Sequence, residues 1–307
     1  MYDLISKGPQ GVLKKGWSAQ VDDYAIANDW AQQGNVLVVG DSAGGVFGFE
    51  GSSGSTLWKQ SGSHDGGLLA IKMHPDGNKF ATVGQDGRLL IWNAIDGDII
   101  HNIKIGNSWA ESLEWSTDGK WLAISMSRYV HVYSVDGYEA WRSSKHPSTV
   151  SAIAWSGSKE IATACYGQVT FLDASTGDLQ QKFEWKGSLV SMVLSPDKDV
   201  VACGSQDNTV HFWRRSTSQD SMMSGYPGKP SILEFDKAGK VLATSGGESV
   251  TVWSFDGKGP EGTNPGMLKL HIKPITALSF ASSGLVLASG ARDGAVFVWD
   301  LKSNGNG

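Results

Sequence analysis

Short apolar segments separated by polar, glycine-rich turns recur along the whole chain. The segments at 80–93 and 287–300 match position for position, and each has an apolar run on either side of an Asp-Gly pair. Apolar runs of roughly four to eight residues flanking Asp-Gly are typical of β-hairpins, because glycine adopts the positive φ angle that a tight turn requires. Other copies end at positions 213 and 253, and weaker ones at 49, 133 and 172. The pattern predicts a chain built from repeated hairpins.

Each copy ends at an apolar residue, and these end positions recur at a nearly constant interval. Their separations are 43, 41, 39, 41, 40 and 46 residues. Repeats of about 40–45 residues with four strands each are typical of β-propeller blades. The sequence therefore predicts an all-β, seven-bladed β-propeller, with residues 1–302 in one domain and a flexible tail at 303–307. The seven end positions, here called the anchor residues, are Phe49, Trp92, Tyr133, Leu172, Trp213, Trp253 and Trp299.

The last repeat is too short to hold four strands, because only seven residues follow Asp300. A strand-like segment at 11–19 precedes the first complete repeat and has no other place in the pattern. An unpaired edge strand promotes aggregation, and closure of a ring of sheets removes such an edge. We therefore expect the N-terminal strand to complete the last blade and close the ring.

Composition agrees with a β-fold and narrows the function classes. The 39 glycines and 13 tryptophans suit tight turns and packed sheets, and the net charge of −5 disfavours a nucleic-acid surface. No apolar run approaches the roughly 20 residues that cross a bilayer, and no secretory signal is visible. We expect a cytoplasmic protein with no membrane partner. Cys165 and Cys203 lie in apolar strand patterns, which predicts reduced core thiols.

The chain resembles the WD40 repeat family over nearly its whole length. Blades of that family often carry a histidine before the inner strand, a serine or threonine on the second strand, an aspartate in the next turn and a tryptophan on the third. The resemblance implies that these side chains form a hydrogen-bonded relay that locks the blade. Two repeats carry the full set: His64, Thr82, Asp86 and Trp92 in one, and His271, Ser289, Asp293 and Trp299 in the other.

Other repeats carry an incomplete set. His146 and Thr163 lack the aspartate, because Tyr-Gly stands in the turn at 166–167. Asp207 and Trp213 lack the histidine, because residues 185–187 read Trp-Lys-Gly. We expect these repeats to be held less rigidly than the two complete ones.

A narrower resemblance rests on the segments at 206–213, 223–227 and 259–265. They look like stand-alone bacterial WD40 proteins, some of which are encoded beside CobW-type GTPases linked to metal delivery. This resemblance implies a GTPase partner.

No motif of a catalytic centre is present. The sequence has no Gly-x-Ser-x-Gly elbow, no phosphate-binding loop and no His-Glu-x-x-His pair. The seven histidines are not spaced like metal ligands, so we expect no enzyme, no cofactor and no metal. The alternative is an enzyme, or a small-ligand or metal binder, with its site in the axial channel of the propeller. Unpaired carboxylates or histidines in that channel would favour it.

The loops that enter the inner strands share the top face of a propeller with the turns between second and third strands. Tryptophan, tyrosine and arginine dominate the contact energy of protein interfaces, and several stand at these positions. We therefore predict a non-catalytic scaffold or adaptor that binds a partner protein or peptide there. The predicted contact residues are Trp109, Arg128, Tyr166, Trp185, Lys186, Tyr226 and Arg292.

Overall fold

The computed structural model describes residues 16–31, 33–257 and 259–301. Every regular element in these residues is a β-strand, which confirms the all-β prediction. Within this part of the chain no helix has the length and apolar character that a membrane crossing requires. The described residues divide into two compact units, one of residues 16–163 with 170–181 and one of residues 164–169 with 182–301. The single domain over 1–302 stays a prediction, and the tail at 303–307 lies outside the described residues.

Three four-stranded antiparallel sheets form most of the first unit, and the strands of each lie side by side in chain order, as in a propeller blade. The first sheet contains β1 (Ala25–Trp30), β2 (Val36–Asp41), β3 (Val46–Glu50) and β4 (Thr56–Gln60). The second contains β5 (Leu68–Met73), β6 (Lys79–Gly84), β7 (Arg88–Asn93) and β8 (Ile99–Lys104). The third contains β9 (Ala110–Trp115), β10 (Trp121–Met126), β11 (Tyr129–Ser134) and β12 (Glu139–Arg142).

The fourth sheet has six strands and carries two repeats. Its strands are β13 (Ala152–Ser156), β14 (Glu160–Asp173), β15 (Leu179–Leu194), β16 (Val200–Ser205), β17 (Val210–Arg214) and β18 (Gln219–Met223). Within β14 the chain turns back at 166–167 as expected, since Gly167 has a φ of 87° and Thr163 bonds to Thr170 across the turn at 2.6 Å. Strand β15, in contrast, runs through the loop expected at 185–187 and joins the two repeats in one sheet. Residues 185–187 contain no proline, asparagine or aspartate that would favour a turn. The described strands therefore form six sheets, and the prediction of seven separate blades is wrong in this respect.

Two smaller sheets belong to the second unit. One contains β19 (Leu233–Phe235), β20 (Val241–Thr244), β21 (Val250–Ser254) and β22 (Gly266–Leu268). The other contains β23 (Ile275–Phe280), β24 (Val286–Ala291) and β25 (Val296–Asp300), and it has three strands in the described residues.

The anchor residues lie on the strands that occupy the third position of each repeat, namely β3, β7, β11, β14, β17, β21 and β25. Trp92 pairs across the sheet with Phe80, and their rings stack with centroids 5.5 Å apart. Trp253 pairs in the same way with Leu242. Apart from their first and last residues, β6 and β7 are buried on both faces. The residues of the outer strand β8 are all exposed or half-buried. Other than β25, the strands at the third position are mostly buried as well, and for this reason an apolar anchor residue recurs from one repeat to the next.

The turn between β6 and β7 requires glycine. Gly87 has a φ of 66°, and a Cβ atom there would collide with the carbonyl oxygen of Gly106. The Gly87 carbonyl in turn accepts the main-chain N–H of Ile105 at 3.0 Å. The Asp-Gly turn predicted here is confirmed, and it also joins this hairpin to the loop of the next sheet.

Tryptophans of the first unit bind neighbouring sheets in one repeated way. Trp58 on β4 donates its indole N–H to the carbonyl directly after β7 at 3.1 Å, and Trp141 on β12 donates to the carbonyl directly after β14 at 2.8 Å. Trp17, which precedes β1, donates to the Gly51 carbonyl directly after β3 at 2.9 Å. Trp17 therefore bonds to the first sheet in the way that Trp58 and Trp141, on the outer strands of their own sheets, bond to the next sheet.

The predicted N-terminal strand at 11–19 is only partly covered. Residues 16–24 contain no strand, and residues 11–15 lie outside the described residues, so completion of the last sheet stays a prediction. The edge strand β25 exposes 59% of Val296 and 48% of Val298, whereas the corresponding strand β7 is buried. An apolar edge strand of this kind is usually covered by another strand.

Candidate functional site

The second sheet contains one complete histidine relay. His64 lies with Nδ1 at 3.0 Å from Asp86 Oδ1 and with Nε2 at 2.8 Å from Thr82 Oγ1, and Trp92 donates its indole N–H to the same Thr82 oxygen at 2.9 Å. Because the carboxylate only accepts, Nδ1 of a neutral imidazole carries the hydrogen and Nε2 accepts the Thr82 hydroxyl. Burial lowers the pKa of His64, against the opposing effect of Asp86. The neutral ring therefore suits this network.

The last sheet repeats the arrangement. His271 Nε2 lies 2.9 Å from Ser289 Oγ, and its Nδ1 lies 3.3 Å from Asp293. Trp299 donates to the Ser289 oxygen at 2.8 Å. The structure thus brings together both predicted quartets, and their contribution to stability stays a prediction.

The incomplete relay of His146 shows how a sheet can do without the aspartate. His146 Nε2 lies 3.0 Å from Thr163 Oγ1, and its Nδ1 lies 3.3 Å from the main-chain carbonyl of Arg128. Thr163 also bonds to Thr170 at 2.6 Å. A main-chain carbonyl therefore replaces the missing carboxylate as the partner of Nδ1.

Tyr226 takes the place of the histidine in the sheet of β19–β22. Its hydroxyl lies 2.9 Å from Thr244 Oγ1 and accepts the indole N–H of Trp253 at 2.7 Å. The side chain is 8% exposed, which contradicts the prediction that Tyr226 contacts a partner. This internal role was not predicted, although the chain carries a signal for it: Tyr226 precedes Thr244 by 18 residues, the interval between His64 and Thr82.

Trp185 takes the histidine position in the repeat of β16 and β17, 18 residues before Cys203. Its ring is half-buried and stacks on His211 with centroids 3.9 Å apart. The buried indole N–H has no hydrogen-bond partner among the described residues. Trp185 is therefore largely an internal residue, and it does not belong to the binding surface proposed below.

In the first unit, the loops that precede the inner strands are bonded to the turns of the preceding sheets. The carbonyl of Gly44 accepts the N–H of Ser63 at 2.8 Å, and the carbonyl of Arg128 accepts the N–H of His146 at 2.9 Å. With the Gly87 contact described above, three turns and three loops are joined into one surface. We call it the loop-and-turn surface; it comprises the loops 61–67, 105–109 and 143–151 and the turns 42–45, 85–87 and 127–128.

Trp109 and Arg128 both lie on the loop-and-turn surface but differ in exposure. The Trp109 side chain is 54% exposed, at the end of a loop fixed by the Gly87 carbonyl. The half-buried Arg128 donates from Nε to the His146 carbonyl at 2.7 Å and from Nη2 to the Pro147 carbonyl at 2.5 Å. Trp109 is therefore free to contact a partner, whereas Arg128 mainly holds the neighbouring loop.

The other predicted contact residues belong to the second unit. Tyr166 is 55% exposed, and Lys186 and Arg292 are exposed as well. Gly167 lies close to the main-chain carbonyl of Trp185. The turn that contains Tyr166 is therefore next to the segment that contains Lys186. These three residues remain candidates for contact on that unit.

Lys72, Glu114 and Asp29 on the inner strands of the first unit have polar partners. Lys72 on β5 forms an ion pair with Glu114 on β9 at 2.6 Å, and Asp29 on β1 accepts the main-chain N–H of Met73 at 2.8 Å. Burial raises the pKa of Glu114, and Lys72 opposes the rise. Nowhere in the described ranges do three or more His, Cys, Asp or Glu side chains converge as a metal site of those residues would require. These contacts give the alternative of a site on the inner strands no support.

Family models match three parts of the chain. Residues 177–214 and 262–300 match the WD domain, G-beta repeat, and residues 51–118 match the Anaphase-promoting complex subunit 4 WD40 domain. The matched segments contain the anchors Trp92, Trp213 and Trp299 and both complete histidine relays. The segments 177–214 and 262–300 are therefore similar to WD repeats.

Curated relatives are similar over most of the chain. A guanine nucleotide-binding protein subunit beta of Nicotiana tabacum is 23% identical over 276 residues, covering 77% of this chain and 69% of the relative. The Zea mays protein of that name is 24% identical over 268 residues with the same coverage. The serine-threonine kinase receptor-associated protein of Gallus gallus is 23% identical over 240 residues, covering 77% and 67%. These similarities support the predicted WD repeats, the β-propeller fold class and the class of protein-interaction scaffolds.

Proposed function

We propose that this protein is a non-catalytic adaptor that holds a partner protein or peptide on the loop-and-turn surface around Trp109. The observation that carries the proposal is the exposed indole of Trp109 on a loop whose main chain is fixed by the Gly87 carbonyl. A large aromatic side chain on a rigid support loses little conformational entropy on binding, which is why tryptophan is frequent among interface hot spots.

The relatives support this class of function. Two are named as subunits of guanine nucleotide-binding proteins and one as a receptor-associated protein, so each name describes a protein that acts together with others. For this chain we propose a GTPase as the partner, and a CobW-type GTPase in particular, on the resemblance of the segments at 206–213, 223–227 and 259–265. A cytoplasmic location and a last sheet completed by the N-terminal strand belong to the same proposal. Trp17 supports the latter, because it takes the place of an outer-strand tryptophan.

The test is quantitative capture of the partner by tagged protein from extracts of cells that express it, with mass spectrometry of the bound proteins. Trp109→Ala should weaken binding of the captured partner about thirtyfold, because loss of a hot-spot residue costs about 2 kcal/mol. Its melting temperature should stay within a few degrees of the wild type, since the removed side chain is mostly exposed.

Tyr138→Ala is the matched control. Tyr138 is also an exposed aromatic residue, at 76%, but it lies in the turn between β11 and β12, outside the loop-and-turn surface. This variant should capture the partner as the wild type does. Normal capture by Trp109→Ala, or equal losses in both variants, would refute the proposed surface. A captured partner that is not a GTPase would refute only the narrower proposal.

A further inference from the structure

Four side chains with soft or nitrogen ligand atoms form a row across the sheet of β13–β18. Met192 on β15 pairs directly with Cys203 on β16, Cys203 pairs with His211 on β17, and His211 pairs with Met222 on β18. Directly opposed residues of an antiparallel sheet point to the same face, with Cβ atoms about 4.5–5.5 Å apart. The sheet register therefore places a thioether, a thiol, an imidazole and a second thioether side by side.

His211 has no hydrogen-bond partner among the described residues, although only 2% of it is exposed. A buried polar group without a partner is costly and uncommon in native proteins. The orphaned nitrogens thus point to a ligand between the side chains of this row.

The groups around His211 complete such a site. Trp185 covers one face of the imidazole, with ring centroids 3.9 Å apart, and Trp213 lies against it at 4.3 Å. Asp220 Oδ2 lies 3.4 Å from His211 Nε2, without the geometry of a hydrogen bond. Asp220 therefore lies on the Nε2 side of the ring without bonding to it. Nδ1 is then the nitrogen available to a metal.

We propose that Cys203 and His211 bind a soft monovalent metal ion of the Cu(I) class, with the thioethers of Met192 and Met222 beside them. Thiolate and thioether sulfur select Cu(I) over hard cations such as Mg²⁺ and Ca²⁺. Binding forms a metal–sulfur bond and a metal–nitrogen bond and releases the Cys203 thiol proton to solvent, with no change of oxidation state. Met222, which is half exposed, gives the ion access to the row.

The test is a competition titration of the purified full chain with Cu(I) supplied as its bicinchoninate complex under anaerobic, reducing conditions. The wild type should take up one equivalent of Cu(I) and release one proton. Because binding displaces the Cys203 thiol proton, affinity should increase with pH. A folded wild-type protein that leaves Cu(I) with the competitor would overturn the proposal.

Single variants locate the site. Cys203→Ala and His211→Phe should each lose binding of the equivalent. Cys165→Ala is the matched control, because Cys165 is the other buried cysteine and lies outside the row. Equal loss in Cys165→Ala, or retention in His211→Phe, would overturn the site. Should Cys203→Ala fail to fold by circular dichroism, His211→Phe decides it.

The thioethers have their own test. The double variant Met192→Leu with Met222→Leu keeps both side chains apolar and similar in volume, so the sheet should fold as before. Its Cu(I) affinity should fall at least tenfold if sulfur completes the coordination. Unchanged affinity would overturn the part assigned to the methionines and leave Cys203 and His211 as the two ligands.

Discussion

The hydroxyl of Tyr226 lies 2.9 Å from Thr244 Oγ1, with the two residues 18 positions apart in the chain. His64 and Thr82 are separated by the same 18 positions and lie 2.8 Å apart. In both sheets the tryptophan of the third strand completes the contact, as Trp253 does for Tyr226. A phenol and an imidazole therefore take the same structural position in different repeats.

Tyr226→Phe tests the importance of this position. The variant keeps the ring but leaves the buried indole N–H of Trp253 without its acceptor, which should cost about 1–3 kcal/mol of unfolding free energy. The Thr244 hydroxyl keeps its bond to the Thr251 carbonyl. Urea denaturation at pH 7 measures the loss. A midpoint equal to that of the wild type would show that the contact is not stabilising.

The pH dependence of that contact has a defined sign. Burial raises the pKa of Tyr226 to about 12, above the ordinary value near 10. The stabilisation should therefore be complete below pH 10 and decline as the pH rises towards 12. The stability gap between wild type and Tyr226→Phe should narrow over this range.

Asp86→Asn tests the histidine relay. The carboxylate accepts Nδ1–H of the buried His64 and the main-chain N–H of Arg88, so its loss should cost about 1–3 kcal/mol. Asp207→Asn is the control, because Asp207 occupies the equivalent turn but is exposed and has Trp185 in place of the histidine. Differential scanning calorimetry should show a clear fall in melting temperature for Asp86→Asn and little for Asp207→Asn. Equal effects would mean that the histidine contact contributes nothing.

Arg128→Ala should affect stability as well as binding. The guanidinium holds the carbonyls of His146 and Pro147, and its removal should loosen the 143–151 loop. We expect a loss of about 1–2 kcal/mol and faster amide exchange in that loop, whereas Trp109→Ala should show neither. An Arg128→Ala protein with wild-type stability and exchange would show that this side chain acts only at the surface.

Local patterns in the sequence predicted the hairpins well, because an apolar run, an Asp-Gly turn and a second apolar run specify a hairpin such as that of β6 and β7 without distant information. The union of two repeats in one sheet was not predicted, because β15 continues through 185–187, where only strand pairing decides between a loop and an extended chain. Tyr226 was misread for a related reason. A tyrosine in a loop has the composition of a contact residue, and only its spacing from Thr244 indicates an internal role.

The sequence also did not indicate that the buried nitrogens of His211 lack hydrogen-bond partners among the described residues. The histidine's cross-strand neighbours Cys203 and Met222 lie 8 and 11 positions away in the chain, which is not a ligand spacing of any common metal motif. Only the register of the strands brings the three side chains into one row.

The most direct test of the adaptor proposal is hydrogen–deuterium exchange of the protein alone and with its captured partner. Partner binding should slow amide exchange in the loops at 105–109 and 143–151 and the turn at 127–128. The turn between β11 and β12, which contains Tyr138, should exchange at the same rate in both states. Protection confined to that turn, or absent from the loops around Trp109, would contradict the account.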